Sequence, residues 1–381
     1  MRSYENVNAV ITEAKLYLFQ IHATKKFSFG TWTSRQHIFV AIKAGDETGY
    51  GENIISVNQP DILLDDWCNW IKELVGQTVG NAIEHLRSHL DTWQDRMTEM
   101  VEMCLIDLWG KLEKKNAMEL LELPGTEPVC GVYVILSDDL NFIESKVQYA
   151  ILKEKTRFIK VKLFGREELD CQVINTVRKY LSRSEAYLIG DVNCGYRPEG
   201  TQKDLDRIAT SLKHLYEVGL DACEDPAFLQ RGEWMRLQNL VQPLVLIPDY
   251  PMRPARKSRE EIIGGMGEVY NIHPGTSASI IDAIALAEKI RSLGARLMIG
   301  DDSLVGPGCT IWQQLAIGLS AVWVEATEKE IESDFYYDAV LKMATDSSEN
   351  PINASRTGHG FGIYLDEEKL QSVADKVIII R

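Results

Sequence analysis

The sequence predicts an α/β protein in which a closed parallel barrel follows an antiparallel sheet and a group of helices. Three changes of pattern along the 381 residues lead to this prediction. The chain begins with alternating apolar and polar residues and continues with a helical period. It then alternates short strands with helices for about 200 residues, which is enough for eight strand–helix units.

The first region, from Val10 to Ser56, predicts an antiparallel sheet. Its apolar runs are separated by Gly-Asp-Glu-Thr-Gly at 45–49, which is typical of a turn between two strands. The polar and aromatic segment at 24–36, TKKFSFGTWTSRQ, is interpreted as a loop. From Asp61 to Leu121 the apolar residues recur with a helical period, and Pro124 ends that helical region.

Eight strand-like segments follow Pro128. Helical stretches lie between most of them, and this alternation predicts a parallel sheet. A closed barrel with an outer ring of helices fits eight such strands. An open doubly wound sheet is the alternative, but no glycine-rich phosphate loop follows the first strand. The eight segments are CGVYVIL, RFIKVKLF, AYLIGD, LDACED, PLVLIPD, EVYNIH, ARLMIGD and AVWVEA.

The composition is that of an ordinary soluble globular protein, with 45% hydrophobic and 25% charged residues. A formal net charge of −15 argues against nucleic acid or an anionic membrane surface as the main partner. No apolar run approaches the roughly 18–20 residues of a membrane span, and the N-terminus lacks a secretory signal. The seven cysteines form no Cys-x-x-Cys pair, which favours free thiols in a reducing compartment. We therefore expect a cytoplasmic protein.

Three successive predicted strands end in an acidic residue, namely Asp191, Glu224 and Asp249. Because the carboxyl ends of barrel strands meet at one rim, these carboxylates should lie side by side. Three bare carboxylates in such a position repel one another, and a hard divalent cation would relieve that repulsion. Mg²⁺ is the cation that oxygen ligands favour here. The alternative is that each acid merely ends a strand or caps the next helix.

The preceding strand carries two lysines on one face. Side chains alternate along a strand, so Lys160 and Lys162 point to the side opposite Ile159 and Val161. The apolar side is suited to packing against a helix, and the lysine side must then face a site that accepts two cations. The alternative is that this is an exposed edge strand with solvated lysines.

Taken together, these motifs resemble the enolase superfamily, on the mandelate racemase/muconate lactonizing enzyme side. FIKVKLFG is similar to the Lys-x-Lys strand of that family, GDVNCGY to its Asp-x-Asn strand and CEDP to its Glu-Glu/Asp-Pro strand. IPDYP falls where a third metal ligand is expected, and GHGFGIYLD resembles the closing segment. The helix MVEMCLIDLWGKLEKKNAMELLELPG resembles the one that leads into the barrel. The resemblance covers essentially the whole chain.

The resemblance implies a modified TIM (β/α) barrel with an N-terminal α+β capping domain that the C-terminal tail completes. The implied boundaries are 1–125 for the capping domain, 126–340 for the barrel and 341–381 for the tail. Family members are commonly homo-oligomers, and their substrates are small molecules that carry a carboxylate.

The same resemblance implies a reaction and assigns residues to it. The family removes a proton α to a carboxylate and uses Mg²⁺ to stabilise the enediolate. The implied metal ligands are Asp191, Glu224 and Asp249, with Asn193 close by. Lys162 is the implied base, and Lys160 is implied to lower the pKa of that base and to help hold the substrate carboxylate.

The sequence departs from both family patterns at the place of a second base. The muconate-lactonizing type has a lysine on the sixth strand, where this chain has EVYNIHPGTSASI with His273 nearest that place. The mandelate-racemase type pairs a histidine of the seventh strand with an aspartate, whereas this strand ends in LMIGDDS. His273 is either a second acid/base or a loop histidine before Pro274.

Other candidate substrate contacts lie around the predicted barrel mouth. Asp302 and Glu325 would hydrogen-bond substrate or metal-bound water, or else Asp302 caps a helix and Glu325 is exposed. Trp32, with Phe27 and Phe29, would close over the substrate, although the phenylalanines also suit the core of the capping domain.

Two arginines follow the third acid. Arg253 and Arg256 would bind a second anionic group of the substrate or remain solvated.

These residues predict a lyase or an isomerase of dehydratase, racemase/epimerase or cycloisomerase type. One clear base favours elimination or a one-sided isomerisation. A racemase or epimerase would use Lys162 and His273 on opposite faces of the substrate. The alternative of a different class is a non-catalytic relative that binds a carboxylate.

Overall fold

A computed structural model describes residues 3–56, 64–201, 204–327 and 329–381. Within these residues the chain forms an antiparallel sheet, a set of packed helices and a ring of parallel strands with helices outside it. Asp61, where the helical period was predicted to begin, lies outside the described residues.

The N-terminal sheet has four antiparallel strands, and its fourth strand is the last one of the chain. The strands lie in the order β13-β1-β2-β3. The turn between β2 and β3 is the two-residue pair Gly45-Asp46, and Gly45 adopts φ +59°, a conformation that favours glycine. The strand bounds are β1 Ile11–Phe27, β2 Gly30–Ala44, β3 Glu47–Ser56 and β13 Lys376–Ile380.

The segment at 24–36 is not an irregular loop, contrary to the sequence-based interpretation. β1 and β2 remain paired as far as Phe27 opposite Gly30, so this segment is the far end of a long hairpin. A register shift between His22 and Lys25 marks a bulge in β1. The interpretation failed because the polar side chains of this hairpin do not follow a simple alternation.

Four helices follow the sheet, as the helical period predicts. The longest, α3, is buried along almost its entire length between the sheet and the barrel. It nevertheless carries polar side chains with no exposure, Glu99 and Glu102 among them, and these must find partners inside the protein. The bounds are α1 Leu64–Lys72, α2 Val79–Ser88, α3 Asp95–Glu113 and α4 Ala117–Leu120.

The predicted parallel barrel is confirmed. β4 to β8 form one parallel sheet and β9 pairs in parallel with β10. The backbone N–H of Asn271 donates to Pro248 O at 3.1 Å, which joins the two sheets. Val324 bridges Ile299 and Gly131, so the ring closes through an eighth segment that makes only isolated bridges. The bounds are β4 Tyr133–Ile135, β5 Phe158–Lys162, β6 Tyr187–Asp191, β7 Ala222–Glu224, β8 Val245–Ile247, β9 Val269–Ile272 and β10 Arg296–Ile299.

Apolar side chains from the barrel strands fill the inside of the ring below the strand ends. One cluster of buried side chains draws a member from nearly every strand, which is how a barrel of this size is packed. Its fully or nearly fully buried members are Val132, Ile189, Ala222, Val245, Ile247, Val269, Met298 and Trp323.

Helices follow the barrel strands in turn, and the C-terminal segment adds two short strands and a helix. No helix among the described residues is long and apolar enough to cross a membrane. The bounds are α5 Leu140–Leu152, α6 Glu167–Arg178, α7 Leu205–Val218, α8 Arg231–Val241, the 3₁₀ helix Tyr250–Met252, α9 Ala255–Glu261, α10 Ile280–Ser292, α11 Pro307–Gly318, α12 Glu330–Ala339, β11 Val340–Lys342, β12 Tyr364–Leu365 and α13 Glu367–Val373.

A buried ion pair on α3 fastens the C-terminal segment to the N-terminal part. Lys111 Nζ lies 2.7 Å from the Asp107 carboxylate and donates to Ile363 O at 2.6 Å. Asp107 accepts the backbone N–H of Phe361 at 2.7 Å. Gly360 adopts φ +59° against this carboxylate, and a Cβ there would lie 2.3 Å from Asp107 Oδ1. The pair therefore holds the returning chain close to α3.

We expect Lys111→Met to lower the free energy of unfolding by about 3–5 kcal/mol, because the buried Asp107 carboxylate would lose its counter-ion. Urea titration followed by circular dichroism measures this loss. Arg236→Met is the matched control, since the Arg236–Asp206 pair is 61% exposed on both sides and should contribute less than about 1 kcal/mol. Equal losses in the two variants would contradict the structural importance of the buried pair.

Candidate active site

Ten of the residues selected from the sequence line one pocket at the carboxyl ends of the barrel strands. The far end of the β1–β2 hairpin forms its roof. The predicted residues in its wall are Trp32, Lys160, Lys162, Asp191, Asn193, Glu224, Asp249, His273, Asp302 and Glu325.

The three acids lie at the ends of adjacent strands. In the parallel register Asp191 is opposite Glu224, and Glu224 is opposite Ile247, two residues before Asp249. The three side chains are almost completely buried, with 1–3% of their surface exposed. Burial of three carboxylates in one place is costly unless cations or hydrogen-bond donors compensate them.

Lys160 compensates two carboxylates at once. Its Nζ donates to Glu224 Oε2 at 2.8 Å and to Glu325 Oε2 at 2.9 Å, and it lies 3.6 Å from Asp191 Oδ2. Burial by itself lowers the pKa of Lys160, but these three carboxylates outweigh burial and raise its pKa well above the ordinary value. Lys160 is therefore a permanent ammonium in this arrangement.

Lys162 is held differently. Its Nζ makes a short hydrogen bond to Asp191 and donates to the neutral Asn193 Oδ1 at 2.8 Å, and it lies over the Phe27 ring at 4.8 Å. Both lysines are buried, with Lys160 4% and Lys162 6% exposed, so the alternative of a solvated edge strand is wrong. The strand, β5, lies between β4 and β6 in the parallel sheet instead.

The carboxylates respond to this crowding in opposite directions. Burial raises the pKa of Asp191, but Lys162 and Lys160 outweigh it and hold that pKa at about 2. Burial raises the pKa of Glu325 to about 8, and the Glu224 charge adds to the rise while Lys160 opposes it. Glu325 therefore holds a proton at higher pH than an ordinary glutamate does, whereas Asp191 is ionised at neutral pH.

The donor set suits a hard divalent cation. It consists of carboxylate oxygens only, at adjacent strand ends, as Mg²⁺ prefers. In the described residues no three His, Cys, Asp or Glu side chains converge as a ready metal cluster. Asp249 forms an ion pair with Arg253, and Asn271 Nδ2 donates to Glu224 Oε1 at 3.2 Å. Side-chain cations therefore neutralise the same oxygens that a metal ion would use.

Arg253 is partly exposed, with 30% of its side-chain surface accessible to solvent. It lines the pocket wall next to Asp249. Arg256 lies outside the wall of this pocket, and its guanidinium pairs with Asp91 at 2.9 Å.

His273 comes directly after β9 and lies in the pocket wall with only 9% of its surface exposed. Its Nδ1 forms a hydrogen bond of 3.1 Å with Thr276 Oγ1. Burial and the nearby Arg253 charge lower the pKa of His273 well below its ordinary value, which favours the neutral imidazole.

Asp302 is not a helix cap, since the N-cap of α11 is Gly306. Its carboxylate accepts from Arg35 Nη1 at 3.0 Å and lies 2.5 Å from Arg96 Nη1. Burial raises the pKa of Asp302, but these two arginines outweigh burial and hold it below its usual range. The expectation of an exposed Glu325 is also wrong, because Glu325 is 4% exposed.

Aromatic rings of the hairpin cover the pocket. The ring centroids of Phe27 and Trp32 are 4.5 Å apart, and Phe27 stacks on Phe29 at 5.1 Å. Phe29 is 59% exposed and all three line the pocket, so they are not buried in the core of the N-terminal domain. The Arg35 guanidinium lies 3.8 Å from the centre of the Trp32 ring.

The sequence interpretation missed several residues of the site. Asn271 lies two positions before His273 on the same strand face, so strand alternation could have identified it. Arg35 lies within the hairpin segment that the sequence singled out. Arg96 and Glu99 lie on a helix far away in the sequence and give no local signal.

Glu99 holds the loop that follows β9. Its Oε1 accepts the backbone N–H of Gly275 at 2.6 Å, and its Oε2 accepts the N–H and Oγ of Ser277 at 2.9 and 3.0 Å. Glu99 has no exposed surface, and burial raises its pKa to about 7 although the three hydrogen bonds oppose the rise.

The chain is similar to a curated protein and to solved structures over nearly its whole length. It is 23% identical to an N-succinylamino acid racemase from Thermus thermophilus over 93% of this chain and 95% of that protein. A dipeptide epimerase from Cytophaga hutchinsonii complexed with Mg and D-Ala-L-Val has a TM-score of 0.78 at 18% identity, over 98% of this chain and all of that one.

A muconate lactonizing enzyme from Pseudomonas fluorescens complexed with muconolactone has a TM-score of 0.76 at 19% identity, over 96% of this chain and all of that one. No family model matches the chain. The likeness to the solved structures establishes the fold that the sequence predicted.

The raised pKa of Glu99 predicts a specific pH dependence of stability. The folded-state pKa of about 7 exceeds the ordinary glutamate pKa of 4.5, so the stability linked to this group falls as pH rises from about 4.5 to 7. The glutamine in Glu99→Gln cannot titrate. The free energy of unfolding of this variant should therefore not show the decrease of about 3 kcal/mol that Glu99 causes. Urea unfolding at pH 5.0 and 7.5 measures the difference.

Glu217→Gln, the same change on an exposed helix position, serves as the control for the Glu99 measurement. The wild-type protein and this control should show the same loss of stability between the two pH values. If Glu99→Gln behaves as they do, the buried carboxyl does not titrate in this range.

Proposed function

We propose that this chain is a Mg²⁺-dependent enzyme of the enolase superfamily, of the mandelate racemase/muconate lactonizing enzyme type, and that it removes a proton α to a carboxylate. The observation that carries the proposal is the convergence of Lys162 and three buried acids in one pocket. The products would follow from an isomerase or a lyase reaction of a small carboxylate substrate.

Lys162 is proposed as the base. A base must be a neutral amine when it accepts the proton, and an opposite charge nearby disfavours that form. With Asp191 engaged as a metal ligand, Lys162 would lose its close counter-ion and keep the neutral Asn193 as a partner. Lys160, on the same face of the strand, is proposed to help hold the substrate carboxylate beside this base.

Asp191, Glu224 and Asp249 are proposed to hold the metal ion. When bound, Mg²⁺ would stabilise the negative charge that develops on the substrate carboxylate as the α-proton leaves. Asn271 donates to Glu224 and would fix the orientation of that ligand. The dipeptide epimerase structure with a bound Mg supports this choice of cation.

The remaining pocket residues would bind and enclose the substrate. Lys160 and Asn193 lie beside the lysine base and would contact the carboxylate end. Asp302 and Glu325 would accept hydrogen bonds from polar groups of the substrate. Trp32, with the other rings of the hairpin, would exclude water from the reacting carbon.

Racemisation or epimerisation is the finer reaction that we propose. It needs acid/base groups on both faces of the α-carbon, and His273 is a second such group in the same pocket as Lys162. The names of the racemase and epimerase relatives support this choice and suggest amino-acid derivatives or dipeptides as substrates. Elimination or a one-sided isomerisation would instead leave His273 without a proton-transfer role.

The domain boundaries at 125 and 340, the homo-oligomeric assembly and the cytoplasmic location belong to the proposal as well. They follow from the sequence and its family resemblance. A non-catalytic carboxylate-binding protein would not need Lys162, and the burial of that lysine beside Asp191 therefore favours an enzyme.

Lys162→Ala should lower the rate of α-proton exchange by about 10²–10⁴-fold for substrates whose proton faces this lysine, because the base is removed. Incubation in D₂O with Mg²⁺ and a set of N-succinylamino acids, dipeptides and acid sugars, followed by ¹H NMR, measures exchange. Lys153→Ala, an exposed lysine on the outside of the barrel, is the matched control and should retain the wild-type rate. Full exchange in Lys162→Ala would assign the base to another residue.

Asp249→Asn should weaken Mg²⁺ binding by at least about tenfold, or 1.4 kcal/mol. One ligand charge is lost, and Arg253 is then left without its carboxylate partner and repels the cation. Isothermal titration calorimetry with MgCl₂ measures the affinity without any substrate. The exposed Asp206→Asn is the matched control, and equal affinity in both variants would remove Asp249 from the ligand set.

A further inference from the structure

The loop between β9 and α10 is held by the N-terminal part of the chain as well as by the barrel. This loop directly follows His273, and its contacts therefore decide where the imidazole lies. We infer that Thr276 and Glu99 are positioning residues that set the orientation of His273 for proton transfer at the second face of the substrate. This inference rests on the proposed function.

Thr276 acts on the imidazole directly. Its hydroxyl forms the 3.1 Å hydrogen bond with His273 Nδ1, and its backbone N–H donates to His273 O at 3.4 Å. With Nδ1 engaged by the hydroxyl, Nε2 is the ring nitrogen left for the substrate. The hydrogen bond at one nitrogen of a histidine fixes the tautomer and hence the role of the other nitrogen.

Glu99 fixes the backbone on both sides of Thr276. One carboxylate oxygen accepts the N–H of Gly275 and the other accepts the N–H of Ser277, so residue 276 is bracketed by a single rigid group. The backbone of Ser277 is also held from the barrel side, because its O accepts the N–H of Ala255 at 3.0 Å. The loop is thus clamped between two elements.

The loop packs closely against the neighbouring strand end. Gly275 adopts φ +84°, and a Cβ there would lie 3.0 Å from Asp302 Cβ and 3.3 Å from both Arg96 Nη1 and Asn53 Oδ1. Asn53 Nδ2 donates to Gly275 O at 3.3 Å and thereby adds a further contact from β3. The N-terminal part therefore packs closely against the segment that carries Thr276.

The chemical nature of the clamp argues for a functional role. The three donors to Glu99 are neutral groups, and a fully buried carboxylate held by neutral donors is a costly way to fasten a loop. A carboxylate has two equivalent acceptors in a fixed geometry, which two backbone N–H groups separated by one residue can share. That geometry fixes the orientation of the backbone at Thr276, whereas an apolar contact would hold the loop in place without fixing its orientation.

The test compares Thr276→Val, which removes the hydroxyl at nearly constant volume, with Thr276→Ser, which retains it. Thr210→Val, an exposed threonine of α7, is the matched control. The ring ¹⁵N signals of His273 are recorded in the Mg²⁺-loaded full-length protein and assigned by their loss in His273→Gln. Thr276→Val and Glu99→Gln should shift these signals, whereas Thr276→Ser and Thr210→Val should leave them near the wild-type positions.

The second readout is α-proton exchange in D₂O with each enantiomer of N-succinylalanine and N-succinylphenylalanine. Lys162→Ala and His273→Gln define which enantiomer each base serves. Thr276→Val and Glu99→Gln should slow exchange of the enantiomer served by His273 at least tenfold and change the other enantiomer less than twofold. Thr276→Ser should restore the slowed rate.

The outcomes separate this inference from the proposed function. Unchanged His273 signals in Thr276→Val overturn the positioning role, whatever the exchange rates are. Shifted signals with equal loss for both enantiomers also overturn it, since the loop would then support the whole pocket and not one face. A third outcome is that the His273 signals shift in Thr276→Val and Glu99→Gln but the wild-type protein exchanges neither enantiomer. This outcome supports the positioning of His273 and counts against the proposed reaction for these substrates.

Discussion

Charge compensation among buried groups at the barrel rim is the constraint on which the site depends. Asp191, Glu224 and Asp249 are buried side by side, and ionised carboxylates in such a place require cations within a few ångströms. The chain supplies them as Lys160, Lys162 and Arg253, which arrive from the strand before the acids and from the segment after them. A divalent cation that binds the same oxygens would take over part of this compensation, so metal binding and the state of these side chains are linked.

This linkage gives the two lysines different tasks although they lie two residues apart on one strand. Lys160 contacts the carboxylates of Glu224 and Glu325 and lies 3.6 Å from that of Asp191. If a metal ion bound one of these carboxylates, the others would still keep Lys160 charged. Lys162 depends on Asp191 and on a neutral amide, so it is the lysine that a metal ion at Asp191 would release. The strand alternation places both lysines in the pocket, and more carboxylates surround Lys160 than Lys162, the proposed base.

Patterns that are local in the sequence predicted the barrel, and they selected ten candidate residues that the structure brings into one pocket. Strand alternation, acids at strand ends and the Lys160–Lys162 spacing need only a few neighbouring residues to be recognised. What the sequence did not predict are contacts between distant segments: Glu99 meets Gly275 across 176 residues, and Arg35 meets Asp302 across 267 residues. The hairpin over the pocket was taken for a loop because its aromatic side chains face the site and not a core. The eighth barrel segment forms isolated bridges at Val324, and backbone hydrogen bonds of Val322 and Glu325 also join it to β10.

The two faces of the proposed substrate are therefore supported by different parts of the chain. Lys162 lies on β5 in the interior of the five-stranded sheet, so the barrel itself fixes it. His273 lies at the end of β9, in a two-stranded sheet, and its loop is fastened by α3 and β3 of the N-terminal part. Changes in the packing between the N-terminal part and the barrel would then act on the second face while the first retains its geometry. If the proposed reaction is correct, residues that touch neither the proposed metal ligands nor the substrate, such as Glu99, would alter the balance between two-base and one-base chemistry.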